Sequence, residues 1–304
     1  EISSRGFSTL SNVNGLRMQS EDSNFTPVLD SFLLGGIEIM RGPAGLLEGA
    51  GEPGGVVNRV LKRPTDHFTM GGSVTFGGNG LKRTEFETGG SLVEDNSLRA
   101  RIAATTTDSD YFYDVADHQR FAVLGALEAD LTDRTTVRLS AVHLLDVDRS
   151  TFLGSSFGRF NTDYTLVATE LSHEFENGWT AKVMGNYFSQ KIDEFDLMAI
   201  GPAYDVGDET FVDLGLNVNQ DQETGYNLDA SLSGTVELLG REHEVVFGAS
   251  HIRSNLKVDE RWGYDGFPVN VNDPEVNLPV PAEADGGIQQ DRDYTQYGVY
   301  GQVN

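Results

Sequence analysis

The stretch YNLDASLSGTVEL, residues 226–238, decides the fold. Apolar side chains or glycine occupy every even position from Tyr226 to Leu238, and polar side chains occupy every odd position from Asn227 to Glu237. A period of two residues places alternate side chains on opposite faces of a β-strand. The stretch therefore predicts a strand with one apolar face and one polar face.

The same alternation recurs along the chain after residue 65. Many of the predicted strands exceed the usual length of about 5–6 residues and suit a tilted membrane crossing. The ten predicted strands are 68–77, 82–93, 97–107, 120–130, 136–147, 164–175, 179–191, 225–239, 242–254 and one that starts near residue 293. This series indicates an all-β region.

Short and long connections alternate between these strands. Tight turns are predicted at 94–97, 132–135, 176–178 and 240–241, whereas the connections 108–119, 148–163, 192–224 and 255–292 are long. An antiparallel barrel would then have all its tight turns at one rim, as in outer-membrane barrels. A soluble β-sandwich also gives alternating strands, so the pattern alone leaves both architectures open.

The composition excludes several functional classes. The 304 residues include 22 Lys and Arg against 47 Asp and Glu, a net charge of −25, which argues against a nucleic acid partner. The absence of cysteine excludes disulfides, thiolate metal sites and cysteine nucleophiles. No catalytic signature or nucleotide-binding loop is present, so neither an enzyme nor a catalytic residue is predicted.

No metal site is predicted either. The 6 histidines show no ligand spacing, and the acidic segments 192–224 and 255–292 contain no calcium-loop pattern. A solvated acidic surface is the favoured interpretation of these segments.

The first 65 residues are rich in glycine and nearly neutral, and they carry an ordered series of short motifs. These are SRGF at 4–7, NGL at 14–16, IEIMRGP at 37–43, LLEGAGEPGGVVN at 46–58 and KRPT at 62–65. The series resembles the plug domain of TonB-dependent ferric-siderophore receptors. The predicted barrel that follows, with a short first loop at 77–80, is similar to the ferrichrome, pyoverdine and coprogen receptor branch of that family.

The resemblance implies a mainly β fold in two domains. Residues 1–65 are expected to be the C-terminal part of a mixed α/β plug, with at most a helical turn or two near Pro43–Leu47. Residues 66–304 are expected to be the N-terminal part of a transmembrane antiparallel barrel, with about ten of the family's 22 strands. The chain is thus expected to be a fragment that lacks the TonB-binding box, half of the plug and half of the barrel.

The resemblance also implies a function. The expected protein binds a ferric siderophore at the bacterial outer membrane and imports it with energy supplied through TonB. Its partners would be the siderophore, TonB and outer-membrane lipid or lipopolysaccharide. No cofactor is expected, because the Fe³⁺ complex is cargo. The alternatives are import of haem, cobalamin or an oligosaccharide by the same fold, and a surface signalling receptor that does not transport.

Arg5 and Gln19 match the apical plug positions that face the siderophore in the ferrichrome-type branch. A guanidinium group and an amide can donate hydrogen bonds to the negatively charged oxygens around Fe³⁺. Aromatic residues at the bases of the long connections are further ligand candidates, although an aromatic girdle at the lipid interface is the alternative. These candidates are Tyr111, Tyr113, Trp262 and Tyr264.

A second group of residues carries the plug motif itself and is expected to be structural. Its members are Arg41, Gly42, Pro43, Gly54, Gly55 and Asn58. The resemblance implies that Arg41 pairs with barrel carboxylates, since a buried cation needs such partners. Bracing the turn and contacting the ligand are the alternatives for Arg41.

Overall fold

The computed structural model describes residues 3–4, 7–19, 26–41, 55–111, 116–149, 157–238, 240–272 and 286–303. Six strands precede residue 65: β1 (Ser3–Ser4), β2 (Phe7–Ser8), β3 (Leu10–Val13), β4 (Leu16–Arg17), β5 (Leu34–Arg41) and β6 (Gly55–Leu61). Eleven follow: β7 (Thr69–Phe76), β8 (Lys82–Ser91), β9 (Leu98–Asp110), β10 (Asp117–Thr132), β11 (Thr135–Arg149), β12 (Arg159–Glu174), β13 (Thr180–Ala199), β14 (Tyr204–Val206), β15 (Glu209–Leu238), β16 (Arg241–Asn270) and β17 (Gly286–Val303).

Strands β7 to β17 form one antiparallel sheet. Each long strand pairs with the next in sequence, and short β14 pairs only with β15. The four predicted tight turns therefore lie at one rim, which we name the turn rim, and the other connections, including the short one between β7 and β8, lie at the other, the loop rim. All ten predicted strands are confirmed, and the sheet is an open, partial barrel. In the described part of the chain, no helix is long and apolar enough to cross a membrane.

The strands run further toward the loop rim than the sequence predicts. The segment 192–224, predicted as a connection, continues β13 to Ala199, contains β14 and begins β15 at Glu209. Likewise β16 runs to Asn270 and β17 starts at Gly286, within the predicted connection 255–292. The prediction of two long loops is wrong because backbone pairing continues through both segments, and in 209–224 the residues Val212, Leu214, Leu216 and Val218 keep the alternation of a strand.

A separate four-stranded sheet, the plug sheet, has the order β4-β3-β6-β5. It is mixed, since β3 pairs with β6 in parallel and the other pairs are antiparallel. A 3-10 helix at Ser31–Leu33 is the only helix among the described residues, and Asp30 caps it. The helical turn predicted near Pro43–Leu47 lies outside the described residues. The proposed domain boundary falls in the connection between β6 and β7 and stays a prediction.

The two faces of the large sheet differ in chemistry. The plug sheet packs on one face, which we name the inner face. On the outer face, large apolar side chains are exposed at alternate positions: Val183, Tyr187, Tyr226, Leu228, Leu232, Phe247, Tyr297, Val299 and Val303. Such an apolar band is the surface that a membrane barrel presents to lipid.

Aromatic rings mark the end of this band toward the loop rim. Tyr187 and Tyr226 are register partners on β13 and β15. The ring centroids of Tyr226 and His251 are 5.5 Å apart, and His251 stacks on Tyr297 at 4.5 Å. We name these four residues the aromatic belt. Beyond it the outer face becomes polar, with Ser189, Gln222 and Thr224 at the next positions.

The plug sheet and the inner face share one hydrophobic core. Its buried members from the first 65 residues are Val13, Met18, Leu29, Leu33 and Leu61, and those from the large sheet are Ala103, Ala122, Leu124, Val142, Leu144, Tyr164, Leu166 and Phe188. Most of these side chains are almost completely buried. The plug sheet is therefore packed against the strands as one core.

Candidate functional site

The candidate site lies on the inner face and has two parts. One is the contact between the plug sheet and the strands, and the other is the surface between that contact and the loop rim. Three side chains of the large sheet hold the plug backbone at the end of β4. The Tyr164 hydroxyl donates to the Met18 carbonyl at 3.0 Å. The amides of Asn186 and Asn227 both donate to the Arg17 carbonyl, at 2.9 Å and 2.7 Å. All three donors are buried, so these hydrogen bonds fix the position of the plug along the strands of the large sheet, which we name the wall.

A bidentate ion pair joins the plug to β8. Arg83 Nη1 and Nη2 donate to the two carboxylate oxygens of Asp30 at 2.9 Å and 2.7 Å. Burial opposes ionisation of Asp30, but hydrogen bonds from Arg83 and the Phe32 N–H, with the charges of Arg83 and Arg120, outweigh it. The pKa of the Asp30 carboxyl group is therefore lowered. The same carboxylate caps the 3-10 helix and anchors it to the wall.

A second ion pair lies nearer the turn rim. Lys62 Nζ is 2.7 Å from Glu87 Oε2, which also accepts from Arg101 at 2.7 Å. Arg101 in turn donates to the Arg63 carbonyl at 3.0 Å. Lys62 also lies over the Phe32 ring at 3.9 Å. The segment that follows β6 is thus held to β8 and β9 by Lys62, which pairs with Glu87, and by the Arg63 carbonyl, which accepts from Arg101.

Alternating charges continue along the inner face near the turn rim. Glu128 joins Arg99, at 2.7 Å, and Arg138. Glu170 joins Arg138 and Lys182, the latter at 3.1 Å. The charges of five neighbouring strands are therefore compensated in pairs, which reduces the cost of placing them on an enclosed face.

The inner face above the plug contacts is acidic on β13, β15 and β16. Here Gln190 is the register partner of Glu223, Ile192 of Asp221, and Glu194 of Asn219. Asp221 is buried, and burial together with the charges of Glu260 and Glu194 raises the pKa of its carboxyl group. The carboxylates at this level give this part of the inner face a negative electrostatic potential.

On β10 and β11, a second polar cluster lies at the loop-rim end of the inner face. His118 Nδ1 is 2.7 Å from Asp148 Oδ1, and His118 Nε2 is 3.6 Å from Asp146 Oδ1. Asp148 also accepts from the Tyr111 hydroxyl at 3.3 Å, and Asp146 from Arg120 Nε at 3.0 Å. The hydrogen bond to Asp148 and the charges of both carboxylates raise the pKa of His118 despite its burial.

His118, Asp146 and Asp148 are close enough for one metal ion to reach all three. In this arrangement, however, Arg120 and the imidazolium form of His118 already supply the positive charge that the two carboxylates require. The geometry suits an ion-pair network at least as well as a metal site.

The predicted ligand residues that the structure describes lie on separate elements. Gln19 follows directly after Met18, is half-buried, and donates from Nε2 to the Thr26 hydroxyl at 3.1 Å. Tyr111 follows β9 and bonds to Asp148. Trp262 lies in β16 as the register partner of Gly286. Arg5 and Tyr113 lie outside the described residues, and for Tyr264 only its backbone position in β16 is described. Their contact with a ligand stays a prediction.

The plug motif residues that are described have backbone roles. Gly55 opens β6 with a positive φ of 112° and is the register partner of Arg41 at the end of β5. Asn58 accepts from the Gly15 N–H at 2.8 Å and donates to Glu38 at 2.8 Å, which ties β6 to the Asn14–Gly15 turn. Gly42, Pro43, Gly54 and the Arg41 side chain lie outside the described residues, so the expected ion pairing of Arg41 stays a prediction.

Sequence reasoning missed the residues that join the plug to the wall. These are Asp30, Lys62, Arg83, Glu87, Tyr164, Asn186 and Asn227. The available signal was a large polar or charged side chain at an inner position of a strand that otherwise alternates cleanly. Asn227 and Asp229 in the stretch 226–238 are such positions.

Comparison with known proteins agrees with this geometry. The family model of the TonB-dependent receptor plug domain matches residues 1–56. The ferric-pyoverdine M114 receptor PbuA of Pseudomonas sp. (strain M114) is 30% identical over 295 residues, covering 87% of this chain and 35% of the receptor. The ferrioxamine B receptor of Salmonella typhimurium (strain LT2) is 28% identical over 296 residues, covering 87% of this chain and 41% of the receptor.

A solved structure shows the same fold. The pyoverdine outer membrane receptor FpvA from Pseudomonas aeruginosa PAO1, bound to pyoverdine, superposes with a TM-score of 0.87 at 22% identity, over 99% of this chain and 48% of that one. The chain thus spans less than half the length of each of these three proteins. It is a relative of the TonB-dependent ferric-siderophore receptors, with their plug domain in its first 56 residues and their barrel fold in the strands that follow.

Proposed function

We propose that this chain acts in a receptor of the bacterial outer membrane that binds a ferric siderophore and imports it with energy supplied through TonB. The observation that carries the proposal is a plug sheet packed into the inner face of strands whose outer face is an apolar band. The names of the relatives, which are receptors for ferric pyoverdine and ferrioxamine B, support the class of cargo.

The proposed ligand site lies above the plug, facing the loop rim. Arg5 and Gln19 would donate hydrogen bonds to the iron-bound oxygens of the siderophore. Tyr111, Tyr113, Trp262 and Tyr264 would supply aromatic surface from the wall. Of these, Tyr111 is already joined to the His118 cluster through Asp148, so a ligand that displaces its hydroxyl would also disturb that cluster.

Import in this proposal involves no covalent chemistry, and the relatives named above are receptors. The Fe³⁺ complex is cargo that enters and leaves intact. For the cargo to pass, the contacts of Asp30, Lys62, Met18 and Arg17 with the strands must open. TonB would supply the energy for that opening, because several charge-assisted hydrogen bonds and a shared core oppose it.

The test is a tryptophan-fluorescence titration of the intact receptor in detergent with iron-loaded and iron-free hydroxamate siderophores. We expect saturable binding of the iron-loaded form, and we expect Arg5→Ala to weaken it by about 10- to 150-fold. Arg134→Gln is the matched control, because Arg134 is an exposed cation at the opposite rim, paired with Glu176. Its affinity should equal that of the wild type.

Uptake of radioactive iron by cells completes the test. A strain that carries the receptor should accumulate iron from the bound siderophore, and deletion of TonB should stop this. Binding of haem or cobalamin with equal affinity, or binding without TonB-dependent uptake, would contradict the proposal and favour another cargo or a signalling receptor.

A further inference from the structure

A row of polar side chains crosses the inner face where Asp30 of the plug meets the wall. Arg83 of β8 is the register partner of Thr107 on β9, which is also the register partner of Arg120 on β10. Arg120 is in turn the register partner of Asp146 on β11. Register partners share one face of a sheet, so four neighbouring strands place these side chains at one level. We name Arg83, Thr107, Arg120 and Asp146 the anchor row.

The carboxylate of Asp30 is close to both arginines of this row. Arg83 donates to its two oxygens and also to the Thr107 hydroxyl, at 2.9 Å. The 3-10 helix that Asp30 caps packs on β9 and β10, and the charge of Arg120 is among the causes that keep the pKa of Asp30 low. Neighbouring strands are about 4.8 Å apart, so the backbones of the two arginines are separated by roughly 10 Å, a gap that long side chains can close around one carboxylate.

Arg120 is therefore attracted by two carboxylates. Its Nε donates to Asp146 Oδ1 at 3.0 Å and its Nη2 donates to Asp146 Oδ2, whereas Asp30 attracts it from the plug. Both carboxylates are buried, and a buried charge without a close partner is costly. The planar guanidinium makes its bidentate pair with one carboxylate at a time. A change that strengthens its contact with Asp146 thus weakens its attraction to Asp30.

Three side chains beyond the anchor row, toward the loop rim, act on Asp146. His118 precedes Arg120 by two residues on β10, and Asp148 follows Asp146 by two on β11, so all four lie on one face. His118 Nδ1 is 2.7 Å from Asp148, its Nε2 is 3.6 Å from Asp146, and Asp148 also accepts from the Tyr111 hydroxyl. We name Tyr111, His118 and Asp148 the rim cluster. Without the Tyr111 hydroxyl, Asp148 attracts His118 more strongly, and Asp146 then depends more on Arg120.

We propose that Arg120 is a positioning residue of the plug, for which Asp30 and Asp146 compete, and that the rim cluster biases this competition. While the Tyr111 hydroxyl stays in the rim cluster, Arg120 remains available to Asp30 and the plug is held firmly. When that hydroxyl is engaged elsewhere, Arg120 turns to Asp146 and the hold on the plug weakens. The competition itself does not depend on the proposed function, but its use by a cargo at Tyr111 rests on it.

The test measures hydrogen exchange of residues 26–41 in the intact receptor in detergent, without any ligand. Arg120→Gln removes the shared cation and should speed exchange by roughly fivefold, whereas Asp146→Asn frees Arg120 for Asp30 and should slow it by about threefold. A merely structural role would make exchange faster in both variants. Arg120→Lys keeps the charge and should restore about half of the lost protection. Arg149→Gln is the matched control, since Arg149 is an exposed cation of β11 that lies 3.6 Å from Asp117, and it should leave exchange unaltered.

A milder substitution tests the rim cluster. Tyr111→Phe removes one exposed hydroxyl and should speed exchange of residues 26–41 by about twofold, an effect that should vanish when Asp146→Asn is also present. Tyr204→Phe is the matched control, because its exposed hydroxyl donates to Asp213 in the same way but lies far from the plug in sequence and on another strand. Its exchange should equal that of the wild type.

The same preparations are titrated with ferrioxamine B, which separates this inference from the proposed function. Faster exchange in Asp146→Asn, or equal exchange in the wild type and Arg120→Gln, would overturn the competition for Arg120. Unaltered exchange in Tyr111→Phe would overturn the role of the rim cluster. Opposite effects of Arg120→Gln and Asp146→Asn in a receptor that binds no siderophore would support the inference and contradict the proposed function.

Discussion

The inner and outer faces of the large sheet are built from the same strands but meet different surroundings. On the outer face the residues between the turn rim and the aromatic belt are apolar and stay exposed, as at Leu228 and Val299. On the inner face charged side chains are common, and most are paired, as at Arg83 and Glu128. The comparison shows that one period-two pattern can satisfy lipid and an enclosed polar interface together when most inner charges have a partner.

The largest expected effect concerns the inner face. Asp30→Ala leaves Arg83 without its bidentate partner, and we expect it to lower the free energy of opening of the plug segment by about 3–5 kcal/mol. Hydrogen exchange of residues 26–41 in detergent measures this quantity. Lys82→Gln is the control, because Lys82 and Asp108 form an exposed pair at 3.6 Å and should contribute less than about 1 kcal/mol. Equal effects of both substitutions would contradict the claim that the inner-face ion pair contributes more to stability than the exposed pair.

The next effect concerns the outer face. Leu232 lies in the middle of the apolar band on β15, so Leu232→Arg should lower the free energy of unfolding from the bilayer by about 2–4 kcal/mol. Equilibrium unfolding in vesicles gives the value. Gln222→Arg, on the same strand and face but beyond the belt, should have almost no effect. If Gln222→Arg is as costly as Leu232→Arg, the band extends further than the aromatic belt.

A smaller effect tests the neutral hydrogen bonds. Tyr164→Phe removes the hydroxyl that donates to the buried Met18 carbonyl, and should destabilise the docked plug by about 1–2 kcal/mol. Hydrogen exchange at residues 10–19 reports the change. Tyr226→Phe, which removes an exposed hydroxyl 3.4 Å from His251, is the matched control and should leave exchange unaltered. No change in the Tyr164 variant would mean that the plug is held by its charges and core alone.

The smallest effect depends on pH. Because the native pKa of His118 is raised, its contribution to stability is complete below the unfolded value of about 6.5 and is lost as the pH rises through the native pKa. Thermal unfolding of the wild type and of His118→Gln between pH 5.5 and 9 should differ by less than about 1 kcal/mol, and the difference should be greatest at acidic pH. A difference that grows toward alkaline pH would contradict the assigned ion pairs.

The sequence predicts the fold well within the apolar band and poorly beyond it. Between Tyr226 and Val236 the two faces differ, so alternation reveals the strand and its orientation. Between Glu209 and Thr224 the alternation is confined to Val212–Val218 and crosses a register shift between Leu214 and Leu216, while polar residues surround it; the strand is held by pairing with β13 and β16. The segment therefore reads as a loop although it is paired backbone.

The candidate site could be predicted only where motifs mark it. The glycine-rich motifs identify the plug, and the prediction that Gln19 faces a ligand rests on its position in them. The partners Asp30 and Arg83 are 53 residues apart, and Arg17 and Asn227 are 210 apart, so nothing local connects them. Their juxtaposition follows from how the plug sheet sits on the wall, which is a property of the folded chain.

The shared core has a consequence for how the protein is assembled. Leu124, Leu144 and Leu166 lie on the inner face and are buried because Met18, Leu29 and Leu33 cover them. A wall that closed before the plug arrived would leave these leucines facing water, at a cost of about 1.5–3 kcal/mol for each side chain. The plug is thus also a template, and we expect it to be seated among the strands while they are still inserting.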